Sequence, residues 1–331
     1  MRVLIVGGTG NISASIVQLL LKKGHEVTCY NRGERGILPK DVRHIQGDRK
    51  QREAFEGAMQ NETFDAAIDM ICFNAEDAAS SVRAFRGIER FLQCSTVCTY
   101  GVDYDWLPVT EDHPIHPISE YGLNKHAADE VYLQAHHDFG FPVTLVKPST
   151  TYGPQMGVNR QIAREFSWLD RIRKGKPVVV CGDGKAVHQF LHIDDAAKGF
   201  VGLLGMQASK GQAYNLVNRG FISWEDHHRT VMKILGQEVE LVGIPLRDLM
   251  AAGVPDIGIC NDIFAHNTIY SAEKLFRDVP EFQPTVSLEA GLRQIIELMD
   301  TDGRIPDSDQ LSWEDRLIEA QRAVGKTELK L

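Results

Sequence analysis

The sequence has little that marks a nucleic-acid-binding or membrane protein. Among 331 residues, 36 Lys and Arg stand against 45 Asp and Glu, a formal net charge of −9, and no basic run is long. A protein that follows a phosphate backbone needs clustered cations, so nucleic acid is not expected as a partner. No stretch approaches the roughly 18 consecutive apolar residues of a membrane-spanning helix, and the apolar run at the N-terminus is too short for a secretory signal. Neither membrane insertion nor export is predicted.

Cysteine is also scarce and is not arranged for metal binding. The six cysteines form no Cys-x-x-Cys pair, and most of them lie in apolar segments, where a thiol behaves as a small hydrophobic group. This pattern fits the reducing cytoplasm, which is the expected location. His227 and His228 are adjacent and therefore project from different faces of a helix, so no metal site is predicted.

A glycine cluster follows the first apolar segment. Val3 to Val6 predicts a buried strand, Gly7-Gly8-Thr9-Gly10 predicts a tight turn, and a helix is expected from Ser13 to Lys23. Such a turn lets the backbone approach a pyrophosphate, whose charge lies at the start of the helix. Ser13 stands where the usual pattern has its third glycine. The unit is half of a dinucleotide site.

Strands continue to alternate with helices along the chain, which predicts an α/β protein with a doubly wound parallel (Rossmann) sheet and a smaller C-terminal α/β substrate domain. The dinucleotide-binding domain is expected to comprise 1–154 and about 186–220. The substrate domain is expected to comprise about 155–185 and 221–331. Within it, apolar residues at helical spacing predict a helix over 159–174.

Asn31 and Arg32 follow the second strand, where an NAD-specific site usually carries Asp or Glu for the ribose 2′-hydroxyl. A neutral amide and a cation suit the 2′-phosphate of NADP, so the cofactor is expected to be NAD or NADP, with NADP slightly favoured. Arg32 as a solvated turn residue is the alternative. Asp48 after the third strand can accept a hydrogen bond from an adenine amine or cap the helix from Glu53 to Met59, and the two roles are compatible.

Tyr121 and Lys125 are four residues apart in a predicted helix, so their side chains share a face. An ammonium near a phenol lowers the pKa of the phenol from about 10 towards neutral, and the tyrosine can then act as an acid or base on an alcohol or carbonyl. Thr96 ends the fifth predicted strand, at the edge of the sheet where ligands bind.

These features resemble the extended short-chain dehydrogenase/reductase family, which includes sugar-nucleotide epimerases and dehydratases. The resemblance rests on the glycine cluster, on Thr96 followed by Tyr100-Gly101, and on Tyr121-x-x-x-Lys125. It extends over residues 1 to about 220 through Lys147-Pro148-Ser149-Thr150-Thr151-Tyr152-Gly153-Pro154, Phe190-Leu191-His192-Ile193-Asp194-Asp195 and Tyr214-Asn215-Leu216-Val217.

The resemblance implies roles for individual residues. Thr96 is expected to hydrogen-bond the reacting oxygen, Tyr121 to transfer its proton, and Lys125 to lower the tyrosine pKa and hold the nicotinamide ribose. The expected cofactor-binding residues are Gly7, Thr9, Gly10, Asn11, Ile12, Asn31, Arg32, Asp48, Tyr121, Lys125, Pro148 and Ser149.

Departures from the family pattern bear on the substrate. Members that dehydrate a sugar carry an Asp-Glu pair after the threonine, where this chain has Val97 and Cys98, so dehydration is disfavoured. Thr150 and His188 stand where the family usually grips a nucleotide diphosphate; they are the candidate substrate contacts, and their identity counts against a sugar nucleotide.

Cys98 has two interpretations. It falls at the offset of the catalytic cysteine of GDP-mannose 3,5-epimerases, or it is a small apolar residue near a strand end. A catalytic thiol needs a pKa below about 8.5 and hence a nearby cation, for which Arg160 and His188 are candidates.

The expected function is that of an NAD(P)-dependent epimerase acting on a sugar or sugar nucleotide through a transient ketone. An NADPH-dependent carbonyl reductase or dehydrogenase is the alternative, and a non-catalytic dinucleotide-binding regulatory or RNA-associated protein is the second. The expected partner is a carbohydrate-like small molecule, and a homodimer is left open.

Overall fold

A computed structural model describes residues 1–325 of the chain. The strands are β1 (Arg2–Val6), β2 (Glu26–Asn31), β3 (Val42–Gln46), β4 (Ala66–Asp69), β5 (Arg90–Cys94), β6 (Val143–Pro148), β7 (Thr150–Tyr152), β8 (Val178–Cys181), β9 (Val187–His188), β10 (Phe190–His192), β11 (Gln212–Leu216), β12 (Ile222–Ser223) and β13 (Leu241–Ile244). The α-helices are α1 (Asn11–Lys22), α2 (Arg52–Gln60), α3 (Ala75–Ala84), α4 (Glu120–Phe139), α5 (Ser167–Arg173), α6 (Ile193–Leu204), α7 (Trp224–Leu235), α8 (Leu246–Ala251), α9 (Glu273–Asp278), α10 (Leu288–Thr301) and α11 (Trp313–Gly325). Short 3₁₀ helices lie at Val97–Tyr100, Gln207–Ser209 and Ser308–Gln310, and a π-helix lies at Cys260–Phe264. Over this described part of the chain, no helix has the length and apolar character needed to cross a membrane.

The first compact unit is built on a seven-stranded sheet. Its strand order is β3-β2-β1-β4-β5-β6-β11, and every neighbouring pair is parallel. Successive residues of β1 point to opposite faces: Val3 and Ile5 pack with α1 and α6, and Leu4 and Val6 pack with α2, α3 and α4. Both faces are therefore covered, which confirms the predicted doubly wound parallel sheet.

The strand order reverses between β1 and β4, which are neighbours in the sheet although two strands and two helices separate them in the chain. In sheets of this kind, ligands bind beyond the carboxyl ends of the strands at such a reversal. The glycine cluster follows β1 and therefore lies at this point.

The first unit contains Met1–Thr151, Phe190–Arg219 and Tyr270–Val286. The last of these segments corrects the predicted boundaries, which placed 270–286 in the C-terminal domain. Tyr270 pairs with Val109, and the buried Asp195 carboxylate accepts the backbone N–H groups of Thr285 and Val286 at 3.0 and 2.9 Å. These contacts join residues far apart in sequence, which local patterns do not reveal. The roles predicted for the two parts, dinucleotide and substrate binding, remain predictions.

The second unit contains Tyr152–Gln189, Gly220–Ile269 and the chain from residue 287 onward. It has a parallel pair of strands, β8 and β13, and an antiparallel pair, β9 and β12. The predicted helix over 159–174 is wrong in its first half, because only Ser167–Arg173 is helical. In the first half, the buried Arg160 guanidinium donates to both carboxylate oxygens of Glu314, at 3.0 and 2.6 Å, and the Gln161 side chain binds the backbone of Cys181. These long-range contacts hold an irregular backbone.

Candidate active site

The loop between β1 and α1 has the shape expected of a phosphate-binding turn. Gly7 has φ +88°, and a Cβ there would lie 2.6 Å from Cγ2 of Ile71, so a larger residue does not fit. Its N–H donates to the carbonyl of Tyr30 on the neighbouring strand at 2.9 Å. The turn is therefore held against the ends of the β2 strand and the chain that follows β4.

Ser13 has a larger part in this loop than the sequence indicated. Its buried hydroxyl donates to the carbonyl of Gly7 at 2.6 Å and accepts from the N–H of Gly10 at 2.8 Å. One side chain thus closes the loop from both ends. A glycine in this position would permit close packing but would supply neither hydrogen bond.

The start of α1 fits a dinucleotide pyrophosphate. Gly10 is the N-cap residue, no acidic side chain lies in the first turn, and the first N–H groups of a helix lack partners within it. Both polar atoms of the Asn11 amide are buried and make no hydrogen bond within residues 1–325. The orphaned Nδ2 is a donor, as are the free helix N–H groups, and such donors suit an anionic ligand that supplies acceptors. Gly7, Thr9, Gly10, Asn11 and Ile12 all belong to this loop and helix start.

The residues predicted to meet the adenosine end lie at the ends of β2 and β3. The Asn31 amide oxygen accepts from the N–H of Gly33 and lies 2.9 Å from the His44 ring, and the amide nitrogen has no hydrogen-bond partner within the described chain. The loop after β2 runs beside the glycine loop, because a Cβ on Gly36 would lie 3.2 Å from Cβ of Thr9. Arg32 belongs to this loop, as does Arg35, a cation that sequence reasoning missed.

Arg32 is a solvent-exposed residue that pairs with Glu34 at 3.0 Å. The ion pair does not prevent a phosphate contact, since an exposed pair of this kind contributes at most about 1 kcal/mol. The choice between NAD and NADP stays a prediction.

Asp48 does not cap α2. The N-cap residue is Gln51, without a side-chain hydrogen bond, and the Asp48 carboxylate accepts instead from the N–H of Lys50 at 2.9 Å in an Asx turn. That turn separates Asp48 from the first helical residue, Arg52. The predicted adenine contact of Asp48 remains a prediction.

The second half of the site lies at the ends of β5 and β6. Thr96 is buried and is the N-cap of the 3₁₀ helix at Val97–Tyr100, where its Oγ1 accepts from the N–H of Cys98 at 3.2 Å. Gly122 on α4 lets the two segments meet closely, because a Cβ there would lie 2.7 Å from the carbonyl oxygen of Cys98. Tyr121, the residue before Gly122, therefore lies near Thr96, close enough for the two side chains to interact.

Lys125 links the two halves. Its Nζ is buried, with 1% of the residue exposed, and donates at 2.7 Å to the carbonyls of Cys72 after β4 and Cys94 at the end of β5. The ammonium also lies 4.7 Å from the ring centroid of Phe73, a contact that sequence reasoning missed. An ammonium has three donors, so these two bonds leave one N–H for a further acceptor.

The expected effect of Lys125 on Tyr121 is not what the structure shows. Lys125 Nζ lies 5.8 Å from the ring centroid, and the pKa of Tyr121 is raised above its ordinary value. Loss of water around the phenol is the main cause, the thiols of Cys94 and Cys98 add to it, and the hydrogen bond with Thr96 opposes it. Although 46% of Tyr121 is exposed, its phenol is therefore protonated at neutral pH.

Cys98 is half-buried and lies near enough to Tyr121 and Tyr104 that a thiolate there raises the pKa of both phenols. None of the six cysteines, all of them in the described chain, is in a disulfide. Of the two cations proposed to activate the thiol, Arg160 pairs with Glu314 inside the second unit. A catalytic role for Cys98 remains a prediction.

Pro148 ends β6, and the N–H of Ser149 donates to the carbonyl of Leu216 on the adjacent β11 at 3.3 Å. Because β6 pairs in parallel with β5, both residues emerge at the same edge of the sheet as Thr96. Thr150 begins β7 and is half-buried. The cofactor contacts predicted for Pro148 and Ser149 and the substrate contact predicted for Thr150 remain predictions.

His188 lies inside the second unit. Its ring packs against Trp224 and Phe264, its Nδ1 lies 3.0 Å from Oγ1 of Thr268, and burial lowers its pKa to about 3. It is therefore a neutral core histidine in this structure, and its predicted substrate contact remains a prediction. Over residues 1–325, no group of three His, Cys, Asp or Glu side chains is arranged to hold a metal ion.

Comparison with known proteins shows the family to which the chain belongs. The model of the NAD dependent epimerase/dehydratase family matches residues 3–84 and 74–216. A 2′-dehydrokanamycin reductase of Streptomyces kanamyceticus is 30% identical over 284 residues, which are 86% of this chain and 80% of the relative. A UDP-glucose 4-epimerase of Corynebacterium glutamicum is 28% identical over 247 residues, 65% of this chain and 75% of the relative.

A similar solved structure is UDP-glucuronic acid 4-epimerase from Bacillus cereus in complex with UDP-glucuronic acid and NAD. The two structures have a TM-score of 0.72 at 20% identity, and the matched region covers 91% of this chain and 99% of the epimerase chain. At that identity the likeness shows the fold. The family match and the first relative show more: the chain is an oxidoreductase of the short-chain dehydrogenase/reductase type and belongs to the NAD-dependent epimerase/dehydratase family.

Proposed function

We propose that this protein is an NAD(P)-dependent epimerase that acts on a sugar or sugar nucleotide through a transient ketone. One observation carries the proposal: Thr96, Tyr121 and Lys125 are grouped at the carboxyl edge of the sheet, and Lys125 is bonded to the chain that follows β4, against which the glycine loop packs. The hydroxyl, phenol and ammonium needed at a reacting carbinol are thus next to a turn that fits a pyrophosphate.

When bound, the nicotinamide supplies an acceptor for the hydride of the carbinol carbon and later its donor. In its ionised form, Tyr121 Oη would take the hydroxyl proton as the C=O bond forms and return it when the carbinol is restored. Thr96 Oγ1 hydrogen-bonds the same oxygen and holds it beside the phenol. The remaining N–H of Lys125 would bind a ribose hydroxyl, and its positive charge would favour the phenolate form of Tyr121 that accepts the proton.

The positions around Thr96 limit the reaction. An elimination of water needs an acid and a base beside the ketone, and Val97 is buried in an apolar cluster instead. With an apolar residue at position 97, the available reactions are oxidation, reduction and proton exchange at carbon. Proton exchange would use Cys98 if its thiol ionises.

Reduction of a carbonyl is a second candidate, which two observations favour. The raised pKa of Tyr121 keeps the phenol protonated, and that is the state needed to donate a proton to a carbonyl oxygen. The relative that is 30% identical over 86% of this chain is named a reductase, of 2′-dehydrokanamycin. A carbohydrate-like ketone is the substrate in this case, and the reduced cofactor exchanges in every turnover.

Release of the cofactor separates the two candidates. The purified protein is denatured, and the released small molecules are identified by mass spectrometry. Stoichiometric NAD or NADP supports an epimerase, which regenerates its cofactor while bound; an empty protein that binds NADPH reversibly supports a reductase. Failure to bind any dinucleotide contradicts both candidates.

Tyr121→Phe tests the proton transfer. Loss of a general acid or base lowers kcat by about 10²-fold to 10⁴-fold. Leu123→Ala, on the exposed side of the same helix, is the control. Activity that survives Tyr121→Phe removes the phenol from the mechanism.

A further inference from the structure

A buried ion pair lies beneath the candidate catalytic residues. Lys147 Nζ on β6 donates to Oδ2 of Asp129 on α4 at 3.1 Å, and both residues are almost completely buried. Asp129 is one helical turn beyond Lys125 and two beyond Tyr121. None of the proposed steps uses either member of the pair.

The pair is connected to Thr96 from both sides. Ser95 Oγ donates to the same oxygen of Asp129 at 2.6 Å. Lys147 Nζ also donates to Thr99 Oγ1 at 2.7 Å, and that hydroxyl in turn donates to the carbonyl of Thr96 at 2.9 Å. The residue before Thr96 and the residue three after it are thereby anchored to the two members of one ion pair.

Stability alone does not account for this arrangement. A buried ion pair costs desolvation of two charges, and an apolar pair of similar volume often stabilises a protein as well or better. Breaking the pair by removing one partner, however, leaves an uncompensated charge. Here that charge is the carboxylate of Asp129, which already raises the pKa of Tyr121.

We infer that Asp129 and Lys147 are positioning residues, which hold Thr96 at the reacting oxygen and keep the charge beneath Tyr121 and Lys125 balanced. The inference rests on the proposed function for its effect on turnover, and on the hydrogen bonds alone for its effect on the segment that carries Thr96.

Lys147→Met removes the cation and the bond to Thr99. We expect kcat to fall by about 10-fold to 100-fold, because a misplaced catalytic group is costly, with little change in KM for the cofactor. Amide hydrogen exchange in 95–101 is expected to become about tenfold faster as the segment loosens. Lys147→Arg retains a charge and several donors, so it is expected to restore most of both properties.

The pH–rate profile separates charge from packing. The groups that act on the Tyr121 phenol are Lys125 and Asp129 on its own helix and the thiols of Cys94 and Cys98. Without Lys147, Asp129 acts from about 12 Å along the helix, and at an effective dielectric constant of about 20 this moves the Tyr121 limb of the profile up by at most about one pH unit. The double change Asp129→Asn with Lys147→Met removes both charges. It is expected to return the Tyr121 limb of the profile to its position in the unmodified protein, while kcat stays low.

Arg90→Met is the matched control, since Arg90 is a buried cation at the opposite end of β5, where its Nε donates to the carbonyl of Leu204. It is expected to lower stability without changing amide exchange in 95–101.

Three results would each overturn the inference. They are unchanged amide exchange in Lys147→Met, equal losses of kcat and of exchange protection in Lys147→Met and Lys147→Arg, and the same effects in Arg90→Met. If Lys147→Met does not fold, the double variant, which leaves no unpaired charge, takes its place in the exchange comparison. If no substrate is turned over, the exchange result still decides the inference, while dinucleotide binding decides the proposed function.

Discussion

Three buried histidines are expected to make the second unit sensitive to acid. His188, His227 and His228 have almost no exposed surface and pack against Trp168 and Trp224. Burial lowers the pKa of His188 to about 3 and that of His228 to about 4, and it moves the pKa of His227 in the same direction. All three rings are therefore neutral in the folded protein.

The sign of the effect follows from proton linkage. An unfolded histidine titrates near pH 6.5, so below that pH the unfolded chain binds protons that the folded protein does not. The stabilisation is complete above pH 6.5 and is lost as the pH falls towards the folded pKa values. Between pH 7.5 and 5.0 the loss is about 2 kcal/mol for each of His188 and His228, or about 4 kcal/mol together, a large part of the 5–15 kcal/mol that is typical of a domain.

Guanidinium unfolding at the two pH values, followed by tryptophan fluorescence, measures this loss, because two of the four tryptophans touch the histidines. His228→Asn removes one titrating ring and keeps a donor for the carbonyl of Trp224, which His228 contacts at 2.6 Å. Between the two pH values, we expect the free energy of unfolding of this variant to fall by about 2 kcal/mol less than that of the unmodified protein. His137→Asn, at an exposed position on α4, serves as the control. An equal pH dependence in His228→Asn and the unmodified protein would refute the reasoning.

Three further changes test the cofactor and substrate sides of the site. Ser13→Ala leaves the Gly7 carbonyl and the Gly10 N–H without their partner, so the free energy of unfolding is expected to fall by about 1–3 kcal/mol, measured by denaturant titration; an unchanged midpoint would show that water replaces the hydroxyl. Arg32→Asp is expected to shift the ratio of dissociation constants from NADP towards NAD, and an unaltered ratio would exclude Arg32 from cofactor selection. Cys98→Ser is expected to abolish exchange of a substrate C–H proton with deuterated solvent if the thiol is catalytic, whereas retained exchange would assign Cys98 a structural role.

Local sequence patterns predicted the first unit well because its signals are short-range. A strand, a glycine turn and a helix follow one another within the first 22 residues, and each contact that defines the turn involves backbone or a neighbouring strand. The spacing of Tyr121 and Lys125 likewise predicts a shared helix face, because helix geometry alone determines it. Thr96 could be placed because every parallel strand ends at the same edge.

Long-range contacts could not be predicted in this way. The helix expected over 159–174 begins only at Ser167, since Arg160 and Gln161 bind groups at Glu314 and Cys181. The segment 270–286 joins the first unit through Asp195, a residue about 90 positions earlier. Apolar residues at helical spacing indicate that they are buried, but they do not indicate which element packs against them.

The pKa of Tyr121 is a property of the site that local sequence patterns also did not predict. Spacing along α4 places Lys125 beside Tyr121, but the ammonium points to the carbonyls of Cys72, in the chain after β4, and Cys94, at the end of β5. With its charge directed at these carbonyls, Lys125 does not offset the loss of water around the phenol. If Tyr121 is the catalytic acid and base, the charge that brings its pKa towards neutral must arrive with the cofactor or substrate. Proton transfer is then coupled to an occupied site, and the phenol of the ligand-free protein stays protonated.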